Sequence, residues 1–134
     1  MATPVASQEV IYSDLDVRFL AHPATGKLII RKNADAITQA LKLLILTGFG
    51  ERPFRNAFGS GVRQLLFENF SSIIETELKS IIRQAITNYE PRAIVHDILI
   101  DSDPDGNTLT VTIVYRPING SRPITVSFDL SRTR

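Results

Sequence analysis

The sequence contains no cysteine and only two histidines among its 134 residues. Without cysteine the chain has no disulfide, no thiolate metal site and no cysteine nucleophile, which fits assembly in a reducing cytoplasm. The histidines, His22 and His96, are far apart in the sequence and do not supply a zinc site by themselves. We therefore expect neither a cofactor nor a bound metal.

A positive charge excess and long apolar runs are also missing. Fifteen basic and fourteen acidic residues leave a net charge of +1, whereas a dedicated nucleic-acid-binding protein has a clear basic excess. No apolar run approaches the roughly 18 residues of a membrane-spanning helix, and the N-terminus has no charged segment followed by an apolar one. We expect no nucleic-acid partner, no membrane partner and no signal peptide.

The strongest pattern lies between Ser72 and Asp101. From Ile74 to Tyr89, apolar residues recur at steps of three and four, which predicts one long amphipathic helix. Ser72, with a glutamate three positions later, predicts a capping box at its start. Pro91 predicts its end, because proline lacks an amide hydrogen and disfavours a helical residue before it.

Two further helices are predicted earlier in the chain. The first follows Asn33 and ends at Thr47-Gly48, where the glycine suits a left-handed residue after the helix. The second is short, with Ser60 as its N-cap. The loop between them, residues 49–59, contains three phenylalanines, which we expect to anchor it on the core.

The C-terminal third predicts strands. Apolar and polar residues alternate over 94–101, 109–115 and 124–130, with turn sequences between these segments. They predict a three-stranded antiparallel meander covering the long helix, and residues 17–20 and 27–31 predict an N-terminal β-hairpin. The expected class is α+β, with three helices packed on the meander, in a single domain over residues 1–134 and with a loose arm over residues 1–13.

No catalytic motif emerges from the sequence. Hydrolysis of a glycan needs two facing carboxylates, one with a raised pKa. The candidate carboxylates are Glu51, Glu68, Glu75, Glu77 and Glu90. Glu75 and Glu77 lie on different sides of the long helix, and isolated carboxylates are more often ion-paired or capping. We interpret His96, on an alternating apolar segment, as a hydrogen-bonded core residue, and we predict no enzymatic activity.

Two short motifs combine an acid, an arginine and a proline at the end of regular structure: Glu51-Arg52-Pro53, the 51–53 motif, and Glu90-Pro91-Arg92, the 90–92 motif. A rigid proline beside such a pair presents a charged fork from a fixed backbone. Either motif is equally consistent with an ordinary surface ion pair. Because Arg92 follows the helix end, we expect Arg92→Glu to leave the fold intact.

The order and spacing of these motifs resemble one known family, over nearly the whole chain. The matching segments are His22-Pro23-x-Thr25-Gly26, the helix from Ala36-Ile37 to Thr47, Gly50-Glu51-Arg52-Pro53-Phe54 with Gly59, Val62-Arg63-x-Leu65-Leu66-Phe67-Glu68, and Asn88-Tyr89-Glu90-Pro91-Arg92. The family is the sheath initiator, the small baseplate wedge protein of contractile phage tails. It has counterparts in type VI secretion baseplates and related contractile injection systems.

The resemblance implies a structural protein in a hexameric assembly at the virion tail baseplate, put together in the host cytoplasm. Glu90, Pro91 and Arg92 would dock on the helical core bundle of the larger baseplate wedge subunits. Because the 51–53 motif has the same composition, Glu51, Arg52 and Pro53 are our candidates for a second contact. The tail sheath protein is the other implied partner, and the tail tube or hub is a further one. Members of the family are often labelled lysozyme-like, so a tail-associated peptidoglycan glycosidase is the alternative, and a generic adaptor outside phage is a third.

The resemblance also implies strand exchange with the first sheath ring. The outer strands of a meander are open edges unless the hairpin covers one, and the last strand has weak protection. Pro123 lies only at its entrance, and Asp129 is its single charge. We therefore assign the exchange to this strand: Ile124, Thr125, Val126, Ser127, Phe128, Asp129 and Leu130. Pairing of the residue 17–31 hairpin with the same edge is the open alternative.

Overall fold

The computed structural model describes residues 11–103 and 105–131, in two compact units, Met1–Ala36 and Ile37–Arg134. The elements in chain order are β1 (Ser13–Leu15), β2 (Ile30–Lys32), α1 (Ala34–Leu46), α2 (Val62–Leu65), α3 (Ser72–Tyr89), β3 (Ala93–Asp103), β4 (Thr108–Pro117) and β5 (Ile124–Ser131). The predicted α+β class is confirmed. Of the predicted arm, residues 1–10 lie outside the described residues, and Ser13 already belongs to β1.

The N-terminal hairpin is present, but its strands are not where the sequence placed them. β1 pairs antiparallel with β2, and Leu15 lies opposite Ile30. The predicted strand over residues 17–20 is wrong: a tight turn begins at Asp16, whose carbonyl accepts the Phe19 amide at 3.0 Å. Asp16 causes this turn, because its side chain also accepts the Arg18 amide at 2.9 Å, a local bond that competes with strand pairing.

Asp16 also binds two arginines within the hairpin. Its nearly buried carboxylate pairs with Arg18 at 3.1 Å and with Arg31 at 2.6 Å. The Arg18 side chain and amide, together with Arg31, hold the pKa of Asp16 far below its ordinary value, although burial acts in the opposite direction. The carboxylate thus stays charged and keeps the hairpin closed across 15 residues.

The segment after α1 departs from the predicted caps. Gly48 does not have a positive φ; Gly59 does, at +131°, and a Cβ there would lie 2.6 Å from the Thr47 carbonyl oxygen. Ser60 does not cap α2, whose N-cap is Gly61. Instead the Ser60 hydroxyl donates to the Ile45 carbonyl at 2.7 Å and satisfies one of the free carbonyls at the end of α1.

The long helix and the meander form the core of the larger unit. α3 spans the predicted residues, but its N-cap is Ser71 rather than Ser72, and Glu75 pairs with Lys79 at 2.7 Å instead of closing a capping box. The sheet order is β3-β4-β5, antiparallel throughout, which confirms the meander. Alternate residues of β4 are buried with one face of α3: Leu109, Val111, Ile113 and Tyr115 from the strand, and Leu78, Ile82, Ala85 and Ile86 from the helix.

Candidate functional site

The 90–92 motif forms a tight turn between α3 and β3. The Glu90 carbonyl accepts the Ala93 amide at 3.2 Å, which places Pro91 at the second turn position, where its fixed φ is favourable. The Arg92 carbonyl accepts the Ile118 amide at 2.8 Å and so ties the turn to the end of β4. The backbone of this motif is therefore held on both sides.

The side chains of the motif form an internal fork. Arg92 Nε lies 2.6 Å from Glu90 Oε1, and Arg92 Nη2 lies 2.9 Å from Glu90 Oε2. The Glu90 side chain is only 8% exposed and that of Arg92 25%. Because a buried carboxylate needs its partner, Arg92→Glu would place a second carboxylate against it. The expectation that this change leaves the fold intact therefore no longer holds.

The loop over residues 49–59 is not anchored by all its phenylalanines. The Phe49 side chain is 55% exposed and that of Phe54 is fully exposed, so the prediction that they insert into the core is wrong. Only Phe58 is half-buried, with its ring 5.1 Å from the Tyr89 ring in an edge-to-face arrangement. The Tyr89 hydroxyl donates to the Ala57 carbonyl at 2.5 Å. The last residue of α3 thus holds the loop.

The 51–53 motif does not form an acid–arginine fork of its own. Glu51 pairs instead with Arg63 at 3.0 Å and accepts the Gly48 amide at 3.0 Å. The Arg52 guanidinium lies 4.7 Å from the centre of the Phe58 ring, within cation–π range. Since Phe58 contacts Tyr89, which directly precedes Glu90, both motifs lie at the C-terminal end of α3.

The outer edge of β5 is less protected than that of β3. β3 has a bulge between Val95 and Asp97, and bulges disrupt edge pairing. The extra residue, His96, is exposed, so its interpretation as a core residue is wrong. β5 pairs with β4 in an unbroken register from Ile124 to Ser131. The hairpin forms a sheet of its own, so it pairs with neither edge among the residues that the structure describes.

The predicted strand-exchange residues fall on two faces of β5. Phe128 and Leu130 are buried, and Ile124 and Val126 are half-buried on the same side. The exposed residues are Thr125, Ser127 and Asp129. Asp129, the one charged residue among them, accepts the Thr110 hydroxyl of β4 at 2.7 Å. Residues 124–131 therefore carry one charged side chain, which is bonded to β4, and no lysine to protect the edge.

The candidate carboxylates are dispersed among structural roles. Three of the five form the ion pairs already described, with Arg63, Lys79 and Arg92. Within residues 11–103 and 105–131, no group of three or more histidine, aspartate or glutamate side chains is placed to hold a metal ion. None of the helices in that part of the chain has both the length and the apolar character needed to cross a bilayer.

Sequence reasoning missed the roles of Tyr89, Phe58 and Phe54. Periodicity assigned Tyr89 to the buried face of α3, but not to the loop that it holds. A signal was available in Arg52-Pro53-Phe54-Arg55, an aromatic residue between two arginines, since arginine and aromatic residues are enriched at interface hot spots.

Comparison with known proteins gives consistent matches. The family model for baseplate wedge protein gp25 matches residues 31–119. Baseplate wedge protein gp25 of Enterobacteria phage T4 is 33% identical over 118 residues, which cover 86% of each chain.

Solved structures with the same fold include two baseplates. A chain of the anti-feeding prophage baseplate is 24% identical with a TM-score of 0.64, covering 88% of this chain and 83% of that one. A chain of the postcontracted pyocin R2 baseplate is 15% identical with a TM-score of 0.58, covering 91% and 100%. A candidate tail lysozyme from Geobacter sulfurreducens is 18% identical with a TM-score of 0.72, covering 79% and 97%.

Proposed function

The chain belongs to the baseplate wedge protein gp25 family, and we propose that it joins the larger wedge subunits to the first ring of the tail sheath. The 90–92 motif docks on the helical core bundle of the wedge subunits. The open edge of β5 accepts a strand of the tail sheath protein. Six copies act in the virion tail baseplate after assembly in the host cytoplasm, close to the tail tube or hub.

The rigid turn of the 90–92 motif is the observation that carries the docking proposal. A turn whose backbone is bonded to the start of β3 and to Ile118 after β4 loses little conformational freedom on binding, so more of its contact energy is available for affinity. Pro91 is exposed, and a quarter of the Arg92 side chain remains accessible. In this arrangement Pro91 and Arg92 meet the partner, while buried Glu90 orients the guanidinium.

Arg92→Lys tests the docking role without removing the positive charge. Lysine keeps an ion pair with Glu90 but loses the two-pronged geometry, so we expect a folded protein with docking weakened at least about tenfold. The measurement is co-purification with the larger wedge subunits after co-expression, with the melting temperature as the check on folding. Recovery of the folded variant in wedges at the level of the parent would exclude this role for Arg92.

The strand-exchange proposal rests on the asymmetry of the two sheet edges. The bulge at His96 interrupts β3, whereas β5 offers eight residues in unbroken register. An edge of this kind is a template for β-augmentation, in which a partner strand completes its free backbone hydrogen bonds.

We also propose that the chain has no glycosidase activity. Glu51 and Glu90 are each ion-paired with an arginine, which is the arrangement of a structural carboxylate rather than of one half of a facing catalytic pair. We expect the purified protein to leave the turbidity of a peptidoglycan suspension unchanged. The variants Glu51→Gln, Glu68→Gln and Glu90→Gln should behave like the parent. A known muramidase is the positive control. If the parent clears the suspension and one of these variants does not, the alternative, a tail glycosidase, would be established.

A further inference from the structure

Phe54 occupies an unusual position at the tip of the loop over residues 49–59. Phe54 is fully exposed, and its φ is +64°. A bulky side chain at positive φ is strained, and such strain persists only where the surroundings impose it. Here the Gly50 amide bonds the Asn56 carbonyl at 2.9 Å, and the Arg55 amide bonds the Arg52 carbonyl at 3.2 Å. The loop thus holds an aromatic ring in solvent at a local conformational cost.

Arg52 and Arg55 lie on either side of Phe54 in the sequence of this loop. The guanidinium carbons of Arg52 and Arg55 lie 4.7 Å and 5.7 Å from the centre of the Phe58 ring, which itself packs on Tyr89. Neither arginine has a carboxylate partner among the described residues. The loop that carries the exposed Phe54 therefore also carries two positive charges with no carboxylate partner among the described residues.

We propose that Phe54 inserts into an apolar pocket rimmed by carboxylates on the larger wedge subunit that receives the 90–92 motif. This inference rests on the proposed docking function and deepens it, because it adds Phe54 and Arg55 to the second contact expected at the 51–53 motif and names the chemistry of the surface that fits them. The positive charges of Arg52 and Arg55 are complementary to carboxylates around the partner's pocket. The loop adjoins the 90–92 motif, because Tyr89 contacts the loop and directly precedes Glu90, so the same partner would meet both.

The arrangement meets the physical requirements of a binding hot spot. Buried aromatic anchors and arginines contribute most to protein interfaces, above all where the free protein already holds them in place. The cation–π contacts to Phe58 hold both guanidiniums on the loop that carries Phe54, so the loop is positively charged before the partner arrives. In this geometry Phe54 supplies affinity, and the arginines supply orientation and association rate.

The test measures affinity of the full chain for the purified larger wedge subunits. Phe54→Ala should weaken binding by about 10- to 100-fold while the melting temperature is unchanged, because the side chain is fully exposed and alanine keeps the Cβ at this φ. Arg52→Gln with Arg55→Gln should weaken binding by about tenfold and flatten its salt dependence. Phe67→Ala is the matched control, since Phe67 is 72% exposed on a different segment, and it should bind like the parent.

The outcomes separate this inference from the function on which it rests. If Phe54→Ala binds like the parent while Arg92→Lys is weakened, the inference is overturned and docking through the 90–92 motif stands. If the parent itself does not bind the wedge subunits, the proposed function fails. If Phe54→Ala instead abolishes self-association of the parent in sedimentation experiments and leaves wedge binding intact, the occupant is a second copy and the proposal is wrong.

Discussion

Proline at one of two consecutive positions of β5, Thr125 or Val126, should leave the chain folded and reduce sheath assembly to the level seen without this protein. Successive amides of a strand point alternately to the neighbouring strand and away from it. One of the two substitutions therefore removes an amide directed at β4, and the other removes an outward amide that only an incoming strand would use.

The two variants control for one another. The variant that loses a bond to β4 should show a lowered melting temperature, and the other should match the parent. Sheath growth from reconstituted baseplates, counted by electron microscopy, then tests the well-folded variant. Normal sheath growth from that variant would refute the assignment of the β5 edge and direct attention to the N-terminal residues.

Arg92→Ala should lower the free energy of unfolding by about 3 kcal/mol, because it leaves the Glu90 carboxylate buried without a counter-charge. For a chain of this size the expected fall in melting temperature is on the order of 10 °C. Chemical denaturation monitored by circular dichroism measures the loss. A much smaller loss of stability would mean that water hydrates the Glu90 carboxylate, so that the carboxylate does not depend on Arg92.

A double-mutant cycle separates this loss from a general effect of truncation. Glu90→Gln alone removes the charge but keeps the shape, and it should cost less than Arg92→Ala. In Glu90→Gln with Arg92→Ala no buried carboxylate remains, so stability should recover by about 1–3 kcal/mol relative to Arg92→Ala. Additive losses would show that the two side chains are not coupled and that the fork contributes little to the fold.

The hydrophobic periodicity was sufficient for the larger unit. The three-and-four spacing between Ile74 and Tyr89 and the alternation within the last three strands both report which face of an element is apolar, and the structure places those faces together. Such patterns depend only on the geometry of the backbone, 3.6 residues per helical turn and two per strand repeat. They were weaker in the hairpin, where a local side-chain bond from Asp16 displaced β1 from residues 17–20 to Ser13–Leu15.

The sequence by itself determined the class of the fold, the long helix, the meander and the presence of both acid–arginine–proline motifs. Only the tertiary structure decided which charges pair: Glu51 pairs with Arg63 rather than with its neighbour, and Glu90 is buried against Arg92. It also decided that Phe54 stays in solvent while Phe58 packs on Tyr89. The physical reason is that periodicity describes one element at a time, whereas burial and ion pairing depend on contacts between residues distant in sequence.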